Sequence, residues 1–286
     1  MKAAGRQLTK RFPNLIHVTC LAHGLSRVVL VAIDQYPLAK GLLSATKGIL
    51  ARSPQRKSML RAACGRMLPS FVPTRWTSFL EALPVFIENF DKLKVFIKEL
   101  RKDRHTSTDI DRVENLLYSD GTLREMHELN NRYGRLFVEA ILELQKQDLP
   151  LDQALAIATG LSARLSSFSD EIGQTVFTKW QEVAQKNAGL ELLHQLSSGA
   201  RPPALLLKRL GISSIRQENI PYYMKATTVT ADVERFFSKY NLSFSPLRQS
   251  ATVSTMSNIL TVQANMKIVN SMFYICSALH FANLNF

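Results

Sequence analysis

The sequence predicts a mainly α-helical protein, and three observations carry that expectation. From Asp109 to Gly211, apolar residues recur at helical spacing in one segment after another, separated by short breaks rich in Ser, Asp, Gly and Pro. The composition is that of a globular chain, with 46% hydrophobic and 21% charged residues among 286. Against this background one short β-branched run, LIHVTC at 15–20, has the character of a strand. Helices as amphipathic as those of the middle region must bury their stripes against each other, which makes an all-α layer.

At the N-terminal end, Lys2 to Arg11 is basic and weakly periodic, and Phe12-Pro13-Asn14 is a turn signal. After the expected strand at 15–20, LAHGLSRVVLVAI (21–33) places Leu21, Leu25, Val28, Val29 and Ala32 on one helix face. Gly24 weakens that helix by up to ~1 kcal/mol relative to Ala, so its presence marks close packing. Residues 52–73 hold Arg52, Arg56, Lys57, Arg61 and Arg66 among Pro and Gly, a connector or short helix with a cationic face. The next stretch sets Leu83, Phe86, Ile87, Phe90, Leu93, Ile97 and Leu100 on one face of a helix that Pro84 either opens or kinks.

Four further faces come after it: Ile110/Val113/Leu117, Leu123/Met126/Tyr133/Phe137/Ile141/Leu144, Leu155/Ala158/Leu161/Leu165 and Val176/Trp180/Val183. TTVTADVERFFSKYNL (227–242) then reads as a helix with Thr230 as N-cap and Val233, Phe236, Phe237 and Tyr240 as its stripe. VSTMSNILTVQAN reads as one more helix, and no internal repeat of fixed period is present.

Charge narrows the partners. Lys and Arg number 36 against 23 Asp and Glu, a formal net charge of +13. A field of that sign favours polyanions, nucleic acid first. Three widely spaced cysteines make no disulfide framework and suit a reducing compartment, nucleus or cytosol. Lys2, Arg6, Lys10 and Arg11 interrupt any secretory leader, and the most apolar internal run, Leu25 to Ile33, falls short of the ~20 residues of a membrane helix. The expectation is a protein that is neither secreted nor membrane-bound.

Three constellations could carry chemistry. Cys20-Leu-Ala-His23 offers two zinc-ligand types, but zinc needs three or four and no second pair accompanies it. A Cys–His nucleophilic pair needs an orienting third group, so a buried Cys beside a helix-packing His is the favoured reading. Arg75-Trp76 could stack on an unpaired base and pair with a phosphate, or Trp76 could anchor a helix start, the commoner case. Glu234-Arg235 is either a surface ion pair or a metal-binding carboxylate that would need two more acids nearby.

Taken in order, HVTCLAHGLSRVV, PTRWTSFLEALPVFIENF and VERFFSKYN…LR resemble hAT-superfamily DNA transposases and their domesticated descendants, among them animal proteins similar to the CGG triplet repeat-binding protein. The resemblance runs from about Lys2 to Asn265, and through the helical middle it is one of pattern more than of residues. It implies a ribonuclease-H-like core interrupted by a large helical insertion. The expected organisation is a partial core at 1–50, an all-α insertion at 51–220, a core and dimerisation segment at 221–265 with Val233, Phe236 and Phe237, and an unassigned tail at 266–286. Active relatives hold Mg or Mn on two Asp and one Glu. Glu234 matches that Glu, Cys20 and His23 match the motif beside the active site, and Arg75 with Trp76 match the pair near the DNA end. Both Asp lie upstream of the C-x-x-H motif in the family, whereas residues 1–19 contain none. The expectation is therefore a truncated, catalytically inactive chain with no cofactor, retaining low-specificity DNA binding through Arg52, Arg56, Lys57, Arg61 and Arg66, and self-association. Two alternatives stand beside it: a fragment of an active transposase, and a helical scaffold that does not bind DNA.

Overall fold

Helices account for 73% of the residues that the computed structural model describes, namely 7–8, 11–12, 15–51, 53–72, 77–212, 214–226 and 228–229. The chain divides into two compact units, Met1–Val229 and Thr230–Phe286, and every described residue belongs to the first. The expected helices at 227–242 and beyond, with Glu234, Val233, Phe236 and Phe237, lie outside the described residues, as do Arg52, Arg75 and Trp76.

Helix α1 (Leu21–Asp34) buries the predicted stripe and packs on α10 (Glu171–Gln185), with Gly24 at the contact. A Cβ on Gly24 would stand 2.6 Å from Val183 Cγ1, so the glycine does mark a tight helix crossing. The chain then bends by 101° into α2 (Pro37–Leu50). Pro37 suits the first helical position because its missing N–H would have no partner there. The next free amides, of Leu38 and Ala39, donate to Glu125 Oε2 at 2.8 and 3.1 Å, a remote carboxylate set against the positive end of the helix. No single helix among the described residues is long and apolar enough to cross a membrane.

Helix α3 (Pro54–Cys64) is next, then α4 (Ser78–Glu88) and α5 (Phe90–Lys102) where one continuous helix was expected. Pro84 lies inside α4 rather than opening it, and the break falls at Asn89. Buried Asn89 donates from Nδ2 to the Val85 carbonyl at 2.8 Å, while its own carbonyl accepts the Leu93 amide. It thus closes one helix and starts the next. The predicted apolar face survives the break, with Leu83, Phe86, Phe90, Leu93, Ile97 and Leu100 all buried.

Helix α6 (Thr108–Leu117) is capped by Ser107, whose hydroxyl accepts the Ile110 amide at 3.2 Å. Helices α7 (Thr122–Leu129) and α8 (Arg135–Leu144) are joined by a π-turn, Asn130–Gly134. The extra residue in that turn lets Tyr133 and Phe137 both face the core, stacked at 5.5 Å. It also carries Arg132 over the Phe168 ring, 4.7 Å from its centroid, where the guanidinium pairs with Asp170 at 2.6 and 3.1 Å. Asp170 in turn caps α10 by accepting the Gly173 amide. Helices α9 (Leu151–Ser166), α11 (Ala188–Ser197), α12 (Ala204–Leu210) and α13 (Ile220–Tyr223), with a short 3-10 helix at Gln217–Asn219, follow.

One hydrophobic core runs through helices on either side of residue 50, and a smaller one of Leu192, Leu196, Leu206 and Ile212 lies under α11 and α12. Helix α2 packs on α6 and α7, α1 on α10 and α8, and α3 on α5.

Residues 15–20, expected as a strand, are irregular, and no strand occurs among the described residues. β-branched residues favour a half-buried extended surface, but a strand also needs a neighbour to form a ladder. Here the neighbour is one side chain. The Thr19 amide donates to Asn187 Oδ1 at 3.0 Å and its carbonyl accepts from Asn187 Nδ2 at 2.9 Å. The backbone of this stretch lies hard against α11, since a Cβ on Gly189 would meet the His17 carbonyl oxygen.

Candidate nucleic-acid interface

The candidate surface is built on α3. Its limits are set by local chemistry: Ser53 Oγ accepts the Arg56 amide at 3.3 Å, Pro54 fills the first turn, and Gly65 ends the helix at φ +75°, a left-handed conformation suited to glycine. Only Leu60 and Cys64 are buried on this helix, both toward the core it shares with α5. Met59 and Ala63 are half-buried against the same core, and on the face left to solvent the sequence has placed cations. From 52 to 66 there are five Arg or Lys and no Asp or Glu.

These cations differ in what holds them. Lys57 and Arg61, four residues apart and so on one face of the helix, are exposed, and neither pairs with a carboxylate among the described residues. Arg56 is half-buried and donates from Nη1 to the Ile49 carbonyl at 3.4 Å, closing the end of α2. Arg66 pairs with Glu88 at 2.8 Å, but both are more than half exposed, so water screens the pair and little of the cation's field is cancelled. Lys92 on α5 adds a further charge at the C-terminal end of α3. Burial pushes the pKa of the Cys64 thiol up, and Lys92 with Arg66 oppose part of that rise. Nothing in the sequence marks Lys92, because only the packing of α3 on α5 brings it to this end.

A patch of this kind could meet a phosphodiester backbone through point charges. Lys and Arg that face solvent without acid partners release condensed counterions when they neutralise phosphates, giving affinity without reading bases.

The other candidates lie elsewhere. Cys20 is buried at the N-cap position of α1, and His23 is half-buried one turn on. Among the described residues no three His, Cys, Asp or Glu side chains group as a cation site. Cys20 lines a cleft of about 480 Å³ between the start of α1 and helices α9, α10 and α11, with Trp180 and Leu155 in its floor and His194 at its edge. Trp180 is 4% exposed and is thus a core residue that walls this cleft.

Compared with protein-family models and with curated proteins, the chain matches none.

Proposed function

We propose that this chain is a catalytically inactive relative of hAT-type transposases that binds nucleic-acid backbone, with little base specificity, through the cationic face of α3. Self-association through the segment around Val233, Phe236 and Phe237 is the second half of the reading, and it rests on the sequence resemblance alone. The observation that carries the first half is the display of Lys57 and Arg61 on a helix whose other charges include no acid. The inactive half is the reading of residues 1–286 alone: Glu234 matches the family's Glu, and no Asp among these residues matches either of the two aspartates that a metal pair requires.

The test is a titration of duplex DNA at several salt concentrations. Binding should weaken steeply as salt rises. Lys57→Ala with Arg61→Ala should flatten the log–log slope by about 1.8, at ~0.9 per lost phosphate contact. Undetectable binding at low salt, or a slope that the double variant leaves unchanged, overturns the reading. Incubation with DNA and magnesium or manganese should give no strand cleavage, and cleavage would restore the enzyme.

A further inference from the structure

We infer that Ser58 is a phosphorylation site, and that a phosphate there switches off the cationic face of α3. The inference rests on the nucleic-acid reading above and adds to it a means of control.

Ser58 stands between cations on both sides: Arg56 and Lys57 precede it and Arg61 lies three positions beyond it. Serine kinases with acidic substrate grooves recognise a hydroxyl by basic side chains set this way, because each cation finds a carboxylate in the groove. The hydroxyl is also available. Ser58 is exposed and makes no hydrogen bond with another described residue, whereas Ser53, five residues earlier, is half-buried and engaged as the helix cap. Thr46 on α2 is fully buried and donates to the Leu42 carbonyl.

Kinases bind their substrates in extended form, so the helix must open locally. Helix α3 is suited to this. It has 11 residues, buries only Leu60 and Cys64, and lies between Ser53-Pro54 and the glycine turn at Gly65. Segments with few buried apolar contacts open at much lower free energy than the fold as a whole.

The transfer itself is conventional. Ser58 Oγ forms a bond to the γ-phosphorus of a nucleoside triphosphate, the bond from that phosphorus to the β,γ-bridging oxygen breaks, and nucleoside diphosphate leaves. The hydroxyl proton passes to a base of the kinase. The product carries a charge near −2 at neutral pH. Arg56, Lys57, Arg61 and Arg66 sum to +4, so the phosphate lowers the local charge to about +2. It does more than subtract. Arg61, three residues along the helix, lies within reach of the new phosphate, and pairing would occupy one of the two cations the interface depends on.

The experiment uses the full chain, magnesium-ATP and a purified serine kinase of basic specificity, with a peptide of residues 52–66 as substrate control. Mass spectrometry should place phosphate on Ser58 in both, and Ser58→Ala should remove that signal. Phosphorylated chain should bind duplex DNA about tenfold or more weakly at low salt, with a log–log slope flattened by about 1–2. Mock-treated Ser58→Ala should bind as the unmodified chain does. A peptide left unmodified, or a modified peptide with Ser58 untouched in the full chain, overturns the site. Phosphate on Ser58 with an unchanged salt slope overturns the switch. Failure of the nucleic-acid reading itself is seen earlier and separately, as absent DNA binding by the chain before any kinase is added.

Discussion

Helices α2 and α3 are neighbours in the chain and begin alike, each with a proline in the first turn, yet they are held in opposite ways. Helix α2 buries Ala39, Gly41, Leu42, Leu43, Ala45, Thr46 and Ile49, and its open amides are closed by a carboxylate from α7, Glu125. Its two cations are engaged: Lys40 with Asp34 at 2.5 Å, and Lys47 with the Phe71 carbonyl at 3.0 Å. Helix α3 buries two side chains, caps itself with Ser53 and Gly65, and leaves Lys57 and Arg61 to solvent. A helix fixed by tertiary contacts has few positions to spare. One fixed by its own caps can give most of its surface to charge.

That contrast can be broken most severely in the core. Leu42→Ala should lower global stability by ~2–5 kcal/mol in denaturant titration, since Leu42 is wholly buried between helices. Leu60→Ala, equally buried, should instead release α3, seen as faster amide exchange at 54–64 with a smaller change in the global midpoint. Equal global losses from the two would mean that α3 is as integral as α2.

The caps sharpen the comparison at the next scale. Glu125→Ala removes a charged acceptor from two amides and should cost about 1.5–3 kcal/mol. Ser53→Ala should cost about 1 kcal/mol, confined to α3.

Acid separates the regions further. Asp170 is held down to about 2 from 3.8, chiefly by the Arg132 guanidinium and then by the Gly173 amide. A depressed carboxylate stabilises the fold above its unfolded pKa, and that contribution fades as pH falls from about 3.8 through about 2. Asp170→Asn keeps a capping side chain but loses the ion pair. Its carboxylate is about half exposed, so after screening the loss at pH 7 should be about 1 kcal/mol, shrinking toward zero near the lower pH. Helix α3 carries no carboxylate and should show no such dependence of its own. Lys57→Ala and Arg61→Ala should be the mildest of all, within ~0.5 kcal/mol of the parent in thermal melts.

What the sequence discloses and what it hides divide along the same physical line. Local signals are readable: the 21–33 stripe, the crossing at Gly24, the cationic segment 52–66 and the apolar faces from 110 to 183 all have counterparts in the fold. Helix α2 escapes a local reading although Ala39, Leu42, Leu43, Thr46 and Ile49 are spaced as a helix face. Its N-terminal cap lies 86 residues away in Glu125, where no neighbouring residue announces it. The break at Asn89 hides for the reverse reason, because the apolar face runs through it undisturbed. LIHVTC has strand composition, but whether a β-partner exists is a property of the rest of the chain. The same holds for Lys92, whose place beside α3 is decided by packing.

The bonds between Thr19 and Asn187 have a consequence for solubility. A half-buried, β-branched segment with no strand partner offers its unpaired peptide groups to any other chain that can lie alongside. At Thr19 the two groups an incoming chain would seize, one donor and one acceptor, are already taken by an amide of matching geometry. Asn187 thus blocks strand pairing at Thr19. It does so with a side chain that has no further backbone to offer, so the pairing ends where it begins. Asn187→Ala would uncover both groups at Thr19 and should speed edge-to-edge association, read as faster aggregation by light scattering.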